Sequence, residues 1–194
     1  MTPRPDLALP RAPRRAPAWP LLAGWSLLAA LPLIPAWLAV QDLRADLLGV
    51  RAGRQQRALD LRPALATLQQ AARLTPGDPQ RHLSVANAAA TLWQLQDQPA
   101  DRGLADTEYD AASALSPQGT DALSRHALMY RFHGDAQRAL PYATRAAQLD
   151  VNNAGLLIEL ARTQQAAGQQ TRARASYARC LTLDDLPECQ PASP

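Results

Sequence analysis

Small and large apolar residues recur along the second half of the chain at a fixed distance of 34 residues. A shift by that distance places Ala139 on Ala173 and Leu149 on Leu183, and a shift the other way places Ala139 on Ala105. A period of 34 residues is typical of a repeated pair of helices. Two antiparallel helices approach most closely where their side chains are small, so the repeated alanines mark the contacts. The pattern therefore predicts stacked helical hairpins.

Glycine and proline indicate where the predicted helices end. Gly134 and Gly168 also stand 34 residues apart, between paired helices, where a turn accepts a left-handed backbone. The interval from Pro76 to Pro117 exceeds the period by seven residues, and a polar connection at residues 94–103 is expected to hold this excess. Three hairpins follow, with helices predicted at residues 80–96, 101–116, 121–132, 136–149, 153–167 and 171–183.

These residues resemble the tetratricopeptide repeat (TPR) family over roughly residues 59–185. The resemblance implies an all-α fold, namely a short α-solenoid of about three helical hairpins plus a partial first unit. Composition agrees, because apolar residues make up 47% of the chain but aromatic residues only 5%. Alanine supplies much of the apolar total, which favours closely packed helices over sheets.

An uncharged stretch of 26 residues, 16–41, precedes the repeats and predicts a single transmembrane helix, since about 20 apolar residues span a bilayer. Trp19 and Trp37 stand near its ends, where indole rings favour the membrane interface. The alternative is a cleaved signal peptide with its site after Ala36. Around this stretch we expect a disordered basic tail, a juxtamembrane helical segment, the repeat domain and a Pro-containing tail, at residues 1–15, 42–57, 58–187 and 188–194.

Flanking charge predicts the orientation of this helix. Four Arg precede it, and the Arg residues that follow it are accompanied by Asp42 and Asp46. The rule that positive flanks stay inside then places the N-terminus in the cytoplasm and the repeats in the periplasm of a bacterium, with the chain in the inner membrane. After residue 41 the chain balances 16 Arg against 16 Asp and Glu, which gives no electrostatic footprint for nucleic acid.

The sequence offers no arrangement typical of an enzyme. The nine Gly form no phosphate-binding loop, and Ser, His and acidic residues do not cluster around a strand–turn–helix. His126 and His133 stand seven residues apart, but no further ligands follow at metal-binding spacing. We therefore expect a non-enzymatic protein without a cofactor.

The TPR resemblance implies a partner-binding surface on the first helices of successive units, where TPR proteins hold an extended or helical segment of another protein. The positions that match it are Asn87, Trp93, Asp121, Ser124, Leu128, Arg131, Phe132, Ile158 and Arg162. Trp93 and Phe132 are candidate anchors for a partner side chain, with core packing as the alternative for both. The Lys, Asn and Arg clamp by which chaperone-binding TPR domains hold a terminal carboxylate is missing, because Ser124, Leu128 and Ile158 occupy such positions. A mixed apolar and Arg surface is expected instead.

The end of the chain lacks the polar capping helix with which solenoids usually close. Only eleven residues follow Leu183, and three of them are Pro. Either a partner or the short tail must cover the last repeat. A disulfide between Cys180 and Cys189 is compatible with an oxidising periplasm, although Cys180 at a small-residue position also fits plain packing.

Together these patterns predict a membrane-anchored TPR interaction module, acting as a scaffold, an assembly factor or a subunit of a bacterial envelope complex. Two alternatives remain. In one, the repeats face the cytoplasm in a regulatory adaptor that recruits a soluble protein to the membrane. In the other, the protein is a structural subunit held in a complex by a membrane-protein partner on the transmembrane helix, where Gly24 and neighbouring small residues permit close contact.

Overall fold

The computed structural model describes residues 33–184 and 186–190, and every α-helix named below lies in that part of the chain. The chain divides into two units, Met1–Val40 and Gln41–Pro194, and the second unit contains the repeats. Eight α-helices are described, and we number them α1 to α8. Their bounds are Leu33–Arg57, Leu61–Leu74, Pro79–Gln96, Pro99–Leu115, Asp121–Phe132, Ala136–Leu149, Ala154–Ala166 and Gln170–Leu183.

Successive helices pack as antiparallel hairpins that stack on one another. The hairpins are α3 with α4, α5 with α6 and α7 with α8, and α3, α5 and α7 also contact one another in sequence. Ala105, Ala139 and Ala173 are all buried on the second helix of their hairpins. The small side chains thus lie where the period predicted close helix contacts, and the expected all-α solenoid is confirmed for the described residues.

The turns inside the last two hairpins repeat the same hydrogen bonds. Gly134 and Gly168 have φ of +87° and +78°, which favours glycine. The N–H of each glycine donates to the carbonyl three residues earlier, and the N–H of the next residue donates to the carbonyl five residues earlier. Asp135 then caps α6 by accepting from the N–H of Arg138. This turn fixes the angle between paired helices.

The excess length of the α3–α4 hairpin lies in its helices and not in the connection expected at residues 94–103. Helix α3 has 18 residues and α4 has 17, whereas α5 and α7 have 12 and 13. Only Asp97 and Gln98 separate α3 from α4, and Asp97 adopts a left-handed backbone with φ of +52°. Pro99 begins α4, because the first position of a helix needs no N–H donor. The predicted long connection was therefore wrong.

Most of the predicted membrane-spanning stretch, residues 16–41, lies outside the described residues, as do the predicted tail at 1–15 and residues 191–194. Among the described helices, none is both long and apolar enough to span a bilayer. Helix α1 includes the last residues of that stretch and the whole of the expected juxtamembrane segment at 42–57.

The end of the last hairpin is covered by a short turn. Residues Pro187–Cys189 form one turn of 3₁₀-helix that contacts α7 and α8. Cys189 is fully buried and forms a disulfide with Cys180 on α8. Leu186 packs against the core beside it. Residues 186–189 thus cover part of this face.

Candidate protein-binding groove

A groove lies between the first helices of two neighbouring hairpins, α3 and α5, and we call it the α3–α5 groove. Its cavity volume is about 280 Å³. One wall comes from α3 and the other from α5, with the Tyr109 ring of α4 beneath them. The residues that line it are Asn87, Ala90, Thr91, Gln94, Tyr109, Arg125, Leu128, Met129 and Phe132.

Phe132 is the most exposed large apolar side chain of the groove. It stands at the end of α5 with 67% of its surface exposed, and Leu128 lies one turn earlier, half-buried. The guanidinium of Arg131 lies 4.7 Å from the centre of the Phe132 ring, within cation–π range. Because a large aromatic ring left in water usually gains by being covered, Phe132 is a natural contact for a ligand.

The α3 side of the groove is polar and partly fixed. The hydroxyl of Tyr109 donates to Asn87 Oδ1 over 2.8 Å. Burial raises the pKa of Tyr109 well above its ordinary value, so the phenol stays protonated and able to donate. The bond holds Asn87 through its oxygen, and its amide N–H groups can then donate to a ligand. Arg125 adds an exposed positive charge on the opposite wall.

An ion-pair network connects α5 to the next hairpin beside the groove. Arg131 and Glu159 form a 2.8 Å pair, and Glu159 also accepts from Arg162 over 3.3 Å. The side chain of Arg131 is only 17% exposed. Its role in joining α5 to α7 is therefore visible in the structure, and removing it would leave Glu159 with one partner fewer.

A buried cluster of aromatic rings supports α5 from the other side. The ring of His126 lies 3.8 Å from that of Tyr142 and 4.9 Å from that of Tyr109, centre to centre. Asp106 on α4 bonds to His126 Nε2 and accepts from the hydroxyl of Tyr130, each over 2.8 Å. Burial lowers the pKa of His126 by more than the hydrogen bond and charge of Asp106 raise it. His126 is thus a neutral packing residue that donates to Asp106.

No acid–base or metal chemistry follows from this cluster. His126 is almost fully buried, so a substrate has no path to its ring. Within residues 33–184 and 186–190, no group of three or more His, Cys, Asp or Glu side chains is arranged to hold a metal ion. The cluster packs α4, α5 and α6 against one another.

Comparisons with protein-family models and with curated proteins find no match. Solved structures do match. The TPR protein TTC0263 of Thermus thermophilus aligns with a TM-score of 0.59 at 20% identity, over 87% of this chain and 88% of that one. MamA of Desulfovibrio magneticus aligns with a TM-score of 0.58 at 21% identity, over 73% and 76% of the two chains. YrrB, described as a TPR protein with an unusual peptide-binding site, aligns with a TM-score of 0.51 at 17% identity, over 71% of this chain and 68% of that one.

The chain has a TPR fold. Identities of this size carry the fold alone, so the function must be argued from the residues. In the TPR arrangement α3, α5 and α7 are the first helices of successive units, and the α3–α5 groove lies between two of them.

The TPR first helices bring some of the expected contact residues together and leave others apart. Asn87, Leu128 and Phe132 line the α3–α5 groove. Arg131 and Arg162 lie in the ion-pair network beside it. The remaining positions stand elsewhere: Asp121 is exposed at the start of α5, Ser124 is half-buried, and Trp93 and Ile158 are buried, with 4% and 7% of their surfaces exposed.

Trp93 takes the packing role that was its alternative. Its ring contacts Tyr130 edge-on at 5.7 Å and lies 3.8 Å from the ring of His133. It therefore joins the TPR units internally and offers little surface to a partner.

Sequence reasoning missed Arg125 and Thr91 as groove residues. Arg125, Leu128 and Phe132 are spaced by three and then four residues along α5, so they lie on one face of that helix. Asn87, Thr91 and Gln94 are spaced by four and then three residues and share a face of α3. A full account of each TPR helix face would have found both, because residues three and four apart lie on the same side of a helix.

Proposed function

We propose that this chain is a membrane-anchored TPR protein that holds a segment of another protein in the α3–α5 groove. Its role is that of a scaffold, an assembly factor or a subunit of a bacterial envelope complex, with the repeats in the periplasm. The observation on which this rests most is Phe132, an aromatic side chain exposed by 67% at the edge of a cavity.

The groove residues indicate the chemistry of the partner segment. Phe132 and Leu128 offer an apolar surface for a bulky side chain of the ligand. Arg125 offers a positive charge that would pair with an acidic residue, and Asn87 offers amide donors for a backbone carbonyl. Binding energy at interfaces concentrates in a few central aromatic and Arg residues surrounded by weaker contacts, which is the composition found here. An extended or helical peptide with one apolar anchor and one acidic residue fits best.

Two observations support the anchor and the compartment. Residues 16–41 carry no charge over a length sufficient to cross a bilayer. Cys180 and Cys189 are joined by a disulfide, and such bonds persist in oxidising compartments such as the periplasm. YrrB, a protein of the same fold with a peptide-binding site, favours peptide recognition as the activity.

Site-specific photo-crosslinking in living cells tests the docking proposal. A photoreactive residue at Phe132 is expected to capture a discrete protein, and the same residue at Arg172, exposed on α8, is the matched control. Capture at Phe132 that disappears in a chain also carrying Arg125→Glu would support the groove. Equal capture at both positions, or capture at Arg172 alone, would contradict it.

Reporter fusions test the compartment separately. A C-terminal reporter that is active only in the periplasm supports the proposed orientation. The mass of the membrane-bound chain then shows whether the anchor is retained. Activity in the cytoplasm would favour the adaptor alternative, with the groove unchanged. Replacing residues 16–41 by a foreign transmembrane helix distinguishes the third possibility, because only a partner held through that helix would be lost.

A further inference from the structure

Helix α1 has an apolar stripe that faces away from the repeats. Leu43, Leu47 and Val50 have 60%, 62% and 54% of their surfaces exposed. They follow one another at spacings of four and three residues, which is the alternation of a coiled-coil seam. Three large apolar side chains in one exposed row are unusual for a helix that already packs on its own domain.

The opposite side of α1 is the one that contacts the repeats. Ala45 and Ala52 are fully buried. Gln55 accepts a 2.9 Å hydrogen bond from Thr67 of α2. Asp46 lies on the flank between the two faces and pairs with Arg81 of α3. Each buried alanine stands two residues after a member of the stripe, and two residues turn a helix by about 200°. The stripe is therefore a second apolar face, separate from the one that the fold uses.

The stripe is narrow and has defined ends in the sequence. Upstream, residues 33–40 are apolar at every position, and Trp37 and Leu38 are exposed there as well, so the single row is confined to residues 43–50. Downstream, the next two positions of the pattern are Arg54 and Arg57, and the apolar run stops there. A strict single row of this kind is typical of a helix–helix seam, whereas a helix lying on a membrane has a broader apolar face.

The charges beside the stripe identify its partner. With Leu47 at heptad position a, Arg44 and Arg51 occupy position e and Asp46 occupies position g. In a parallel pair of helices, a g residue meets the e residue of the following heptad on the other chain. Asp46 already pairs with Arg81 but keeps 68% of its side chain exposed, and this exposed part would then also meet Arg51 of a second copy. Symmetry would form this pair twice. In an antiparallel pair, e would meet e and g would meet g, which brings like charges together.

We propose that α1 forms a parallel two-stranded coiled coil with α1 of a second copy of this chain, through Leu43, Leu47 and Val50. Two chains anchored in one membrane by their N-termini would meet in this parallel orientation. The dimer would present two α3–α5 grooves, so a partner with two binding segments would gain affinity through effective concentration. The dimer rests on α1 and its charges, and it stands whether or not the groove binds a partner.

The mass of the full chain in detergent tests the dimer. The wild-type chain is expected to be dimeric, and Leu47→Asp is expected to weaken the dimer by at least about tenfold, since a charge placed in the seam must be desolvated. Leu115→Asp, at another exposed Leu, is the control and should remain dimeric. Arg51→Glu should also weaken the dimer, because it places two acidic residues opposite each other. Circular dichroism confirms that each variant is folded.

Crosslinking in membranes gives a second measurement. Leu43→Cys is expected to form a crosslinked dimer, whereas Asp42→Cys, exposed on the same helix but outside the stripe, is not. Four results would overturn the proposal: a monomeric wild-type chain, equal crosslinking at both positions, a stronger dimer with Arg51→Glu, or a Leu47→Asp chain that loses binding to lipid vesicles while its mass is unchanged. A fall in the melting temperature of a monomer on Leu47→Asp would assign the stripe to another segment of the same chain and would overturn it as well.

Discussion

Reduction of the disulfide between Cys180 and Cys189 is expected to loosen one end of the solenoid while leaving its middle intact. The bond closes a loop with a sequence separation of nine residues. Closing a loop of that size lowers the entropy of the unfolded chain by an amount equivalent to about 2.6 kcal/mol at 25 °C. Without the bond, the turn that holds Cys189 and Leu186 over α7 and α8 keeps only its apolar contacts.

The effect should remain local, because each unit of a solenoid contacts only its neighbours. A loss of about 2.6 kcal/mol corresponds to opening that is more frequent by roughly 70-fold, and amide exchange would accelerate by up to the same factor. Hydrogen exchange followed by mass spectrometry can measure this in α8 and in α5 of the same sample. We expect faster exchange in α8 on reduction and little change in α5.

A chain with Cys180→Ala and Cys189→Ala is the control, since it cannot respond to a reductant. Its α8 should exchange quickly with or without reductant. The reasoning is refuted if reduction of the wild-type chain leaves exchange in α8 unchanged. It is refuted equally if α5 accelerates as much as α8, because the bond would then stabilise the whole domain.

The remaining predictions concern packing and pH. Ala139→Leu and Ala173→Leu should each lower the free energy of unfolding by about 1–3 kcal/mol through overpacking, whereas the exposed Arg145→Ala should change it by under about 0.5 kcal/mol, as measured by urea unfolding. Burial lowers the pKa of His126 in the folded chain, so below pH 6.5 the unfolded chain binds the proton more readily. The free energy of unfolding therefore falls as the pH is lowered, and His126→Leu should make that fall smaller. Burial alone would lower the pKa of His82, but its hydrogen bonds to Glu108 and to a backbone carbonyl outweigh burial, and the pKa is raised overall. Protonated His82 therefore stabilises the fold below pH 6.5, and this contribution disappears as the pH rises through the pKa of the folded chain. Melting temperatures of the wild-type chain, His82→Gln and His126→Leu between about pH 5 and 8 check both signs.

Much of the fold could be predicted because small residues and turn residues repeat with the hairpin. The helices at 121–132 and 136–149 begin and end where the pattern placed them. The length of the connection in the α3–α4 hairpin was misjudged because Pro99 resembled part of a loop. A proline fits either a loop or the first turn of a helix, and only the packing of α4 on α3 decides between them.

The groove was predictable only in part, because exposure depends on contacts from other units. Leu128 and Phe132 follow from helix periodicity. The burial of Trp93 depends on Tyr130 and His133, which lie in the next hairpin. The pairing of Arg131 with Glu159 likewise joins residues 28 positions apart. Such contacts follow from the stacking of units, which the sequence pattern of a single unit does not contain.

The affinity of the chain for the segment captured at Phe132 tests the central claim most directly. Complete burial of a Phe side chain contributes about 1.5–3 kcal/mol, and two-thirds of the Phe132 surface is free to be covered, so Phe132→Ala should remove about 1–2 kcal/mol of binding energy. The dissociation constant of a synthetic peptide should then rise by roughly 5- to 30-fold, with little change in melting temperature. Leu95→Ala, equally exposed at 67% but outside the groove, should bind like the wild type. If Phe132→Ala also binds like the wild type, or if both variants weaken binding equally, the α3–α5 groove is not where this protein holds its partner.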